Sequence, residues 1–149
     1  MNVAGEVFSA PEMAVWRSFQ RAHVTIMRRI EAELMERHEL PLASFDVLLQ
    51  LGHAQQHRLR MNDLADRVLI SRSGLTRLID RMEREGLVER HACQSDARGL
   101  YAVLTVPGHR RLAGATPTYY RCIRESFLSR IGRDELQQVA ATASKLTTD

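Results

Sequence analysis

The sequence predicts a mainly α fold with a small β-hairpin. Three observations carry this expectation. Apolar residues recur every three or four positions over most of the chain, the period of a helix with one buried face. Two of these stripes are short and are separated by only Leu69 and Ile70. Directly after Gly86 the period changes to strand-like runs that return through a polar turn.

The first long element opens at Ser9, where Ser9-Ala10-Pro11-Glu12 reads as a capping box with a proline inside the first turn. From Val15 the positions Phe19, Ala22, Ile26, Ile30 and Leu34 continue the stripe, with no glycine or proline before Pro41. A helix of this extent is roughly 40 Å long at about 1.5 Å per residue, more than one small domain covers. Part of it needs another partner. Ser44 is expected to cap a second helix to His53, with Phe45, Leu48, Leu49 and Leu51 as its apolar face, and the polar residues 52–57 read as a connection.

Met61, Leu64, Ala65 and Val68 then form an i, i+3, i+4, i+7 stripe, and Leu75, Leu78, Ile79 and Met82 form another in the helix that Ser71 opens. Gly86 stands where a left-handed helix end is expected. The runs Leu87 to Arg90 and Leu100 to Leu104 are the strands of a hairpin whose tip contains Ser95, Asp96 and Gly99. Thr105 is expected to cap a helix from about Val106 to Ile131, bent near Pro117 because proline removes a backbone hydrogen bond and clashes with the preceding turn. Gly132 breaks it, and a last helix carries Leu136, Val139, Ala140, Ala143 and Leu146.

Composition excludes several classes. With 44% apolar and 26% charged residues the chain is globular rather than disordered. It has no run of eighteen apolar residues, and its N-terminus lacks the basic patch and apolar stretch of a signal peptide, so a cytoplasmic protein without membrane association is expected. The net charge of +3 does not announce a nucleic-acid partner. The kind of cation is more telling: Lys145 is the single lysine among 21 basic residues, and the rest are arginine, whose planar fork suits phosphates and guanine edges. The arginine bias is equally what a GC-rich genome would produce. No nucleophile elbow, phosphate-cradling glycine loop or paired-histidine metalloprotease motif occurs, so an enzyme is not expected, and no cofactor is implied.

Helix, helix, tight turn, helix and hairpin in this order describe a winged helix-turn-helix, a fold that reads double-stranded DNA. With Leu75 at the centre of the buried stripe, Ser73, Arg77, Asp80 and Arg84 fall on the opposite face, flanked by Arg72 and Thr76. Arg77 suits a bidentate contact to guanine, Ser73 and Thr76 suit bases or phosphates, and the amides behind Ser71 suit a phosphate. Asp80 and Arg84 are spaced as an exposed i, i+4 pair. Arg98, at the hairpin tip, is placed for the narrow minor groove, with Asp96 fixing the turn that aims it.

The segments Met61 to Val68, Ser71 to Arg90, and Asp96-Ala97-Arg98-Gly99 running into Leu104-Thr105, in this order and spacing, resemble the MarR family of regulators over essentially the whole chain. The resemblance implies a homodimer in which residues 9–40 and 106–149 interlock as dimerisation helices while residues 42–105 form the winged domain. Val15, Phe19, Ala22, Phe127, Leu128, Leu136 and Val139 would then be interface, and the two recognition helices would meet a pseudo-palindromic operator. It further implies release of DNA when a small aromatic or anionic ligand enters a cleft, which Trp16, Arg17, His23 and Phe45 would line here. Two other sensing chemistries stand beside this one: a thiol switch at Cys93, with His91 nearby and Cys122 inside a helix, and a metal response at His53 and His57, although no acidic or cysteine ligands cluster near that pair.

Overall fold

The computed structural model describes residues 8–93 and 96–147, with the side chains of residues 93 and 96–98 outside that description. In chain order the elements are α1 (Ala10–His38), α2 (Leu42–His53), β1 (Arg58–Arg60), α3 (Met61–Val68), α4 (Arg72–Arg84), β2 (Val88–Cys93), β3 (Asp96–Leu104), α5 (Val106–Ser126) and α6 (Arg133–Thr147). No described helix is long and apolar enough to cross a membrane. The chain divides into two compact units, one of residues 31–121 and one of the segments before and after it.

In the unit of residues 31–121, the stripes read from the sequence become the core. Leu64, Leu75, Ile79, Met82, Phe45, Leu48 and Leu51 are all 0–1% exposed. Burying such side chains contributes roughly 1.5–3 kcal/mol each before entropy is counted. Ser71 caps α4, its Oγ accepting from the Gly74 amide at 3.1 Å. At the other end Gly86 has φ +71°. The Gly86 amide donates to Glu83 O and the Leu87 amide to Met82 O, both at 2.9 Å, the paired bonds of a Schellman stop. The tight turn before α4 rests on Leu69, whose φ of 55° is left-handed, and the Ile70 amide donates to Ala65 O at 3.2 Å. At a leucine this conformation costs roughly 1–2 kcal/mol.

The sheet has three strands in the order β1-β3-β2, all antiparallel. The strands extend beyond the runs legible in the sequence, and β1 falls just after the stretch that reads as a connection. Its register is Arg58 opposite Val103, Leu59 opposite Ala102 and Arg60 opposite Tyr101. Leu59 therefore shares the inner face with the fully buried Ala102, and the two arginines point the other way.

Two further expectations are corrected. Ser44 does not cap α2: Pro41 holds that position, the Leu42 amide donates instead to Glu31 Oε2 at 2.8 Å, and Ser44 lies buried within the first turn of the helix, accepting from Arg81 at 3.0 Å. The helix after the hairpin ends at Ser126 rather than Ile131, giving way to a single 3-10 turn over Leu128–Arg130, and Pro117 lies within it. Its start is as expected, with Thr105 Oγ1 accepting from the Gly108 amide at 3.0 Å.

Thr105 does more than cap. Its Oγ1 donates to Gly86 O at 2.7 Å and its amide donates to Leu87 O at 3.3 Å, so the end of α4, the base of the hairpin and the start of α5 meet at one point. A Cβ on Gly108 would stand 2.1 Å from Leu87 O, a backbone atom that cannot swing aside. The Gly108→Ala substitution is therefore expected to lower the unfolding free energy by about 2–3 kcal/mol in a urea titration, and an unchanged midpoint would contradict the packing at this point.

In the same unit the α1 and α5 segments are joined by Arg121 to Glu33 at 2.7 Å and by His38 to Thr118 at 2.8 Å. Hydrogen bonds from Arg121 and then Arg37 hold the Glu33 carboxyl down at about 2. Asp46 goes the other way: burial, with Glu31 nearby, raises its carboxyl from 3.8 to about 6. A raised carboxylate holds its proton more tightly in the folded chain. Its charged form thus disfavours folding progressively as pH climbs from about 4 to about 6, and fully above. Asp46→Asn is expected to raise Tm by roughly 2–4 °C at pH 8, a gain that vanishes near pH 4 in calorimetric scans.

In the other unit α6 buries none of its residues. Val15, Trp16 and Phe19 of α1 are 71, 53 and 56% exposed, and Val139 and Leu146 of α6 are 40 and 70% exposed. Arg29 and Glu125 form an ion pair here at 2.6 Å.

Candidate nucleic-acid interface

The buried stripe Leu75, Leu78, Ile79 and Met82 fixes the rotation of α4, and with it the face turned to solvent. Arg72, Ser73, Thr76, Arg77, Asp80 and Arg84 are all exposed, as the helical phase requires, and Ser71 is exposed at the cap. Thr76 Oγ1 donates to Arg72 O at 2.9 Å, and Arg77 Nε donates to Ser73 O at 3.4 Å, so the long arginine stem lies along its own helix. The first two turns thus offer hydroxyls and guanidinium groups, with the positive end of the helix dipole at their start, on one small surface. This is chemistry suited to phosphates and the acceptor edge of guanine.

Asp80 and Arg84 do not form the pair that their spacing suggests. Arg84 Nε donates to the Asp80 backbone carbonyl at 3.2 Å, while the Asp80 carboxylate receives Arg90 Nη2 at 2.6 Å. Arg90 of β2 is the residue that sequence reasoning missed. Its Nη1 donates to Glu83 Oε2 at 2.5 Å, its amide donates to Glu83 Oε1 at 3.0 Å, and its Nη2 also reaches Thr76 O at 3.1 Å. One guanidinium thereby ties the hairpin to three positions of α4. The signal was present: β2 alternates, so Arg90 shares the inner face with the buried Val88, and a cation on an inward position demands acidic partners.

Asp96 and Arg98 fall in β3, but their side chains lie outside the described residues. The same holds for Cys93. Cys122 is fully buried, which removes it from oxidants in this conformation. His57 bonds Gly52 O through Nδ1 at 3.1 Å, and its ring stands 5.8 Å from that of His109. Among the described residues no three histidine, cysteine or carboxylate side chains come together as a metal site would need.

The residues expected around a ligand are divided between the two units. Trp16, Arg17 and His23 are exposed on α1, Trp16 stacking on Phe19 at 6.2 Å and lining a hollow of about 510 Å³ with Phe8, Glu12 and Met13. Phe45 is a core residue instead: it is 0% exposed and packs its ring 4.6 Å from that of Tyr119, so it presents no surface to a ligand.

Removing the Arg90 fork leaves Glu83 and Asp80 facing the hairpin without a counter-charge. Arg90→Ala is expected to cost about 2 kcal/mol in urea unfolding, whereas Arg84→Ala, which loses a bond within its own helix, changes stability by less than about 0.5 kcal/mol. Equal effects would show that the hairpin is held by its backbone pairing alone.

A sequence profile described as the MarR family matches residues 38–99. The chain is 31% identical over 97 residues to the transcriptional repressor MprA of Escherichia coli, an alignment covering 64% of this chain and 55% of that protein, so it spans little more than half of that relative's length. It is 30% identical over 111 residues to an uncharacterized HTH-type transcriptional regulator of Bacillus cereus, covering 74% of this chain and 71% of the relative. Among solved structures it is similar to a MarR family transcriptional regulator from Streptomyces coelicolor in complex with DNA, with a TM-score of 0.91 and 28% identity over 97% of this chain and 91% of the other.

Proposed function

The chain belongs to the MarR family, and from that premise we propose that it is a homodimeric, sequence-specific DNA-binding transcription regulator, a repressor whose DNA affinity is lowered by a small aromatic or anionic ligand. The observation that carries this reading is the exposed face of the first two turns of α4, with Ser71, Arg72, Ser73, Thr76 and Arg77 on one surface beside a hairpin braced by Arg90. A major groove about 12 Å wide admits such a helix, with Arg77 on a guanine and the hydroxyls on neighbouring bases or phosphates. Asp96 and Arg98 would serve the wing, Arg98 entering the adjacent minor groove. The relative solved in complex with DNA has this fold, which supports the assignment of the partner.

Dimerisation is supported by the apolar surface on the terminal helices. A helix that buries none of its residues, as α6 does, gains little from its own chain. With Val15, Trp16 and Phe19 more than half exposed on α1, these faces need a second copy to leave water. Dimeric symmetry would present two recognition helices to a pseudo-palindrome one DNA turn apart. A ligand near Trp16, Arg17 and His23 lowers affinity if it favours a spacing of the two helices that the operator does not match, since only differential binding to two states shifts their populations.

Fluorescence anisotropy with a duplex selected by the protein from a randomised pool, and with a scrambled duplex, tests this reading. The wild type is expected to bind the selected duplex with two chains per site. Arg77→Ala is expected to lose the preference over the scrambled duplex, and Arg98→Ala to weaken binding by about 1–3 kcal/mol. A preference unaltered in Arg77→Ala would remove the assignment of base reading.

A further inference from the structure

The outer face of the sheet carries a feature that the recognition of a half-site does not use. Arg58 and Arg60 both point outward from β1, because Leu59 between them turns inward against Ala102. Their guanidinium carbons lie 5.0 and 5.8 Å from the centre of the Tyr101 ring on β3, so that both cations engage one aromatic. Two flexible cations are thereby held in fixed positions on an exposed surface.

Grooves open on either side of this cluster. Arg60 lines one of about 630 Å³ together with Asn62 and with Thr76 of the recognition helix. Asp80 also borders it, but its carboxylate is taken up by Arg90 at 2.6 Å. Arg58 and Tyr101 line the other, of about 520 Å³, together with Arg67 and His53. The result is a basic path that begins at Thr76 on α4, crosses the Arg60–Tyr101–Arg58 stack and ends at Arg67.

We propose that Arg58 and Arg60, set against Tyr101, form a second phosphate-binding track that grips the DNA backbone beyond the base pairs read by α4. The inference rests on the DNA-binding reading above and deepens it, by adding a sequence-independent contact outside the half-site. Continuity with α4 is what favours DNA over an acidic protein as the occupant. A backbone leaving the groove at Thr76 meets arginines along one direction, and Asp80, which lines that groove, is paired with Arg90. Such contacts carry no base information; they add affinity and salt dependence.

The test compares the selected duplex with the same duplex lengthened by about ten base pairs on each side, roughly one helical turn. For the wild type, lengthening is expected to tighten binding roughly ten-fold and to steepen the dependence of log K on log salt by about 2 per chain, one phosphate for each arginine. The double variant Arg58→Gln with Arg60→Gln is expected to match the wild type on the short duplex and to lose the gain on the long one. Arg58→Lys with Arg60→Lys, which keeps the charges, retains the steeper slope. No gain for the wild type on lengthening, as an acidic protein partner would give, overturns the proposal, and so does a gain that survives in the glutamine variant. Loss of binding by that variant on both duplexes equally would place the arginines inside the half-site contact and overturn it as well. Failure of the wild type to bind either duplex is a separate result, which removes the DNA-binding reading itself.

Discussion

The guanidinium of Arg90 holds the hairpin to α4, and the placing of that helix's exposed face beside the hairpin depends on it. A two-stranded hairpin alone is marginally stable in water. Here its first strand is fastened to α4 through Glu83, Asp80 and the Thr76 carbonyl, three positions spread over two turns of helix. Because the contacts use both terminal nitrogens in a planar fork, they fix direction as well as distance, which a lysine at the same place would not do. The hairpin base is fixed independently by Thr105, which donates to Gly86 O and Leu87 O while capping α5. Helix and hairpin are therefore joined at two points, and the angle between α4 and the hairpin becomes a property of the folded chain.

What the sequence made legible was local. The caps at Ser9, Ser71 and Thr105 and the stop at Gly86 each satisfy backbone groups within a few residues, so residue type and spacing are enough to locate them. The stripes of α3 and α4 gave the phase of each helix, and hence the exposed set around Arg77.

What it hid was set by contacts between distant segments. The strand Arg58–Arg60 is three residues long, too short to show a period, and exists because it pairs with β3 some forty residues on. Ser44 has the chemistry of a cap, but Glu31 supplies the acceptor for the Leu42 amide, and the serine is drawn inward to meet Arg81. Phe45 reads as an aromatic suited to a ligand only until Tyr119 is seen packed against it. The pairing of Asp80 with Arg90 rather than Arg84 is the same lesson in charge: helical spacing permits the one, and the sheet imposes the other.

This bears on how a chain with a net charge of only +3 presents a cationic surface at all. The acidic groups of α4 and its C-cap are consumed in place. Glu83 and Asp80 both face Arg90, and Glu85 lies 3.9 Å from Arg81, so α4 carries its carboxylates toward its C-terminal half and toward protein partners. Arg72 stands at the opposite end, where the helix dipole adds to its field, and Arg77 follows in the second turn. The potential that matters to an anion at that end is the local one, since at physiological salt charges beyond about 8 Å are screened. A small net charge over the whole chain is thus compatible with exposed cations gathered on the first two turns of α4. The arginine-rich composition gains its meaning from which arginines the fold pairs with acids and which it leaves exposed on the first two turns of α4.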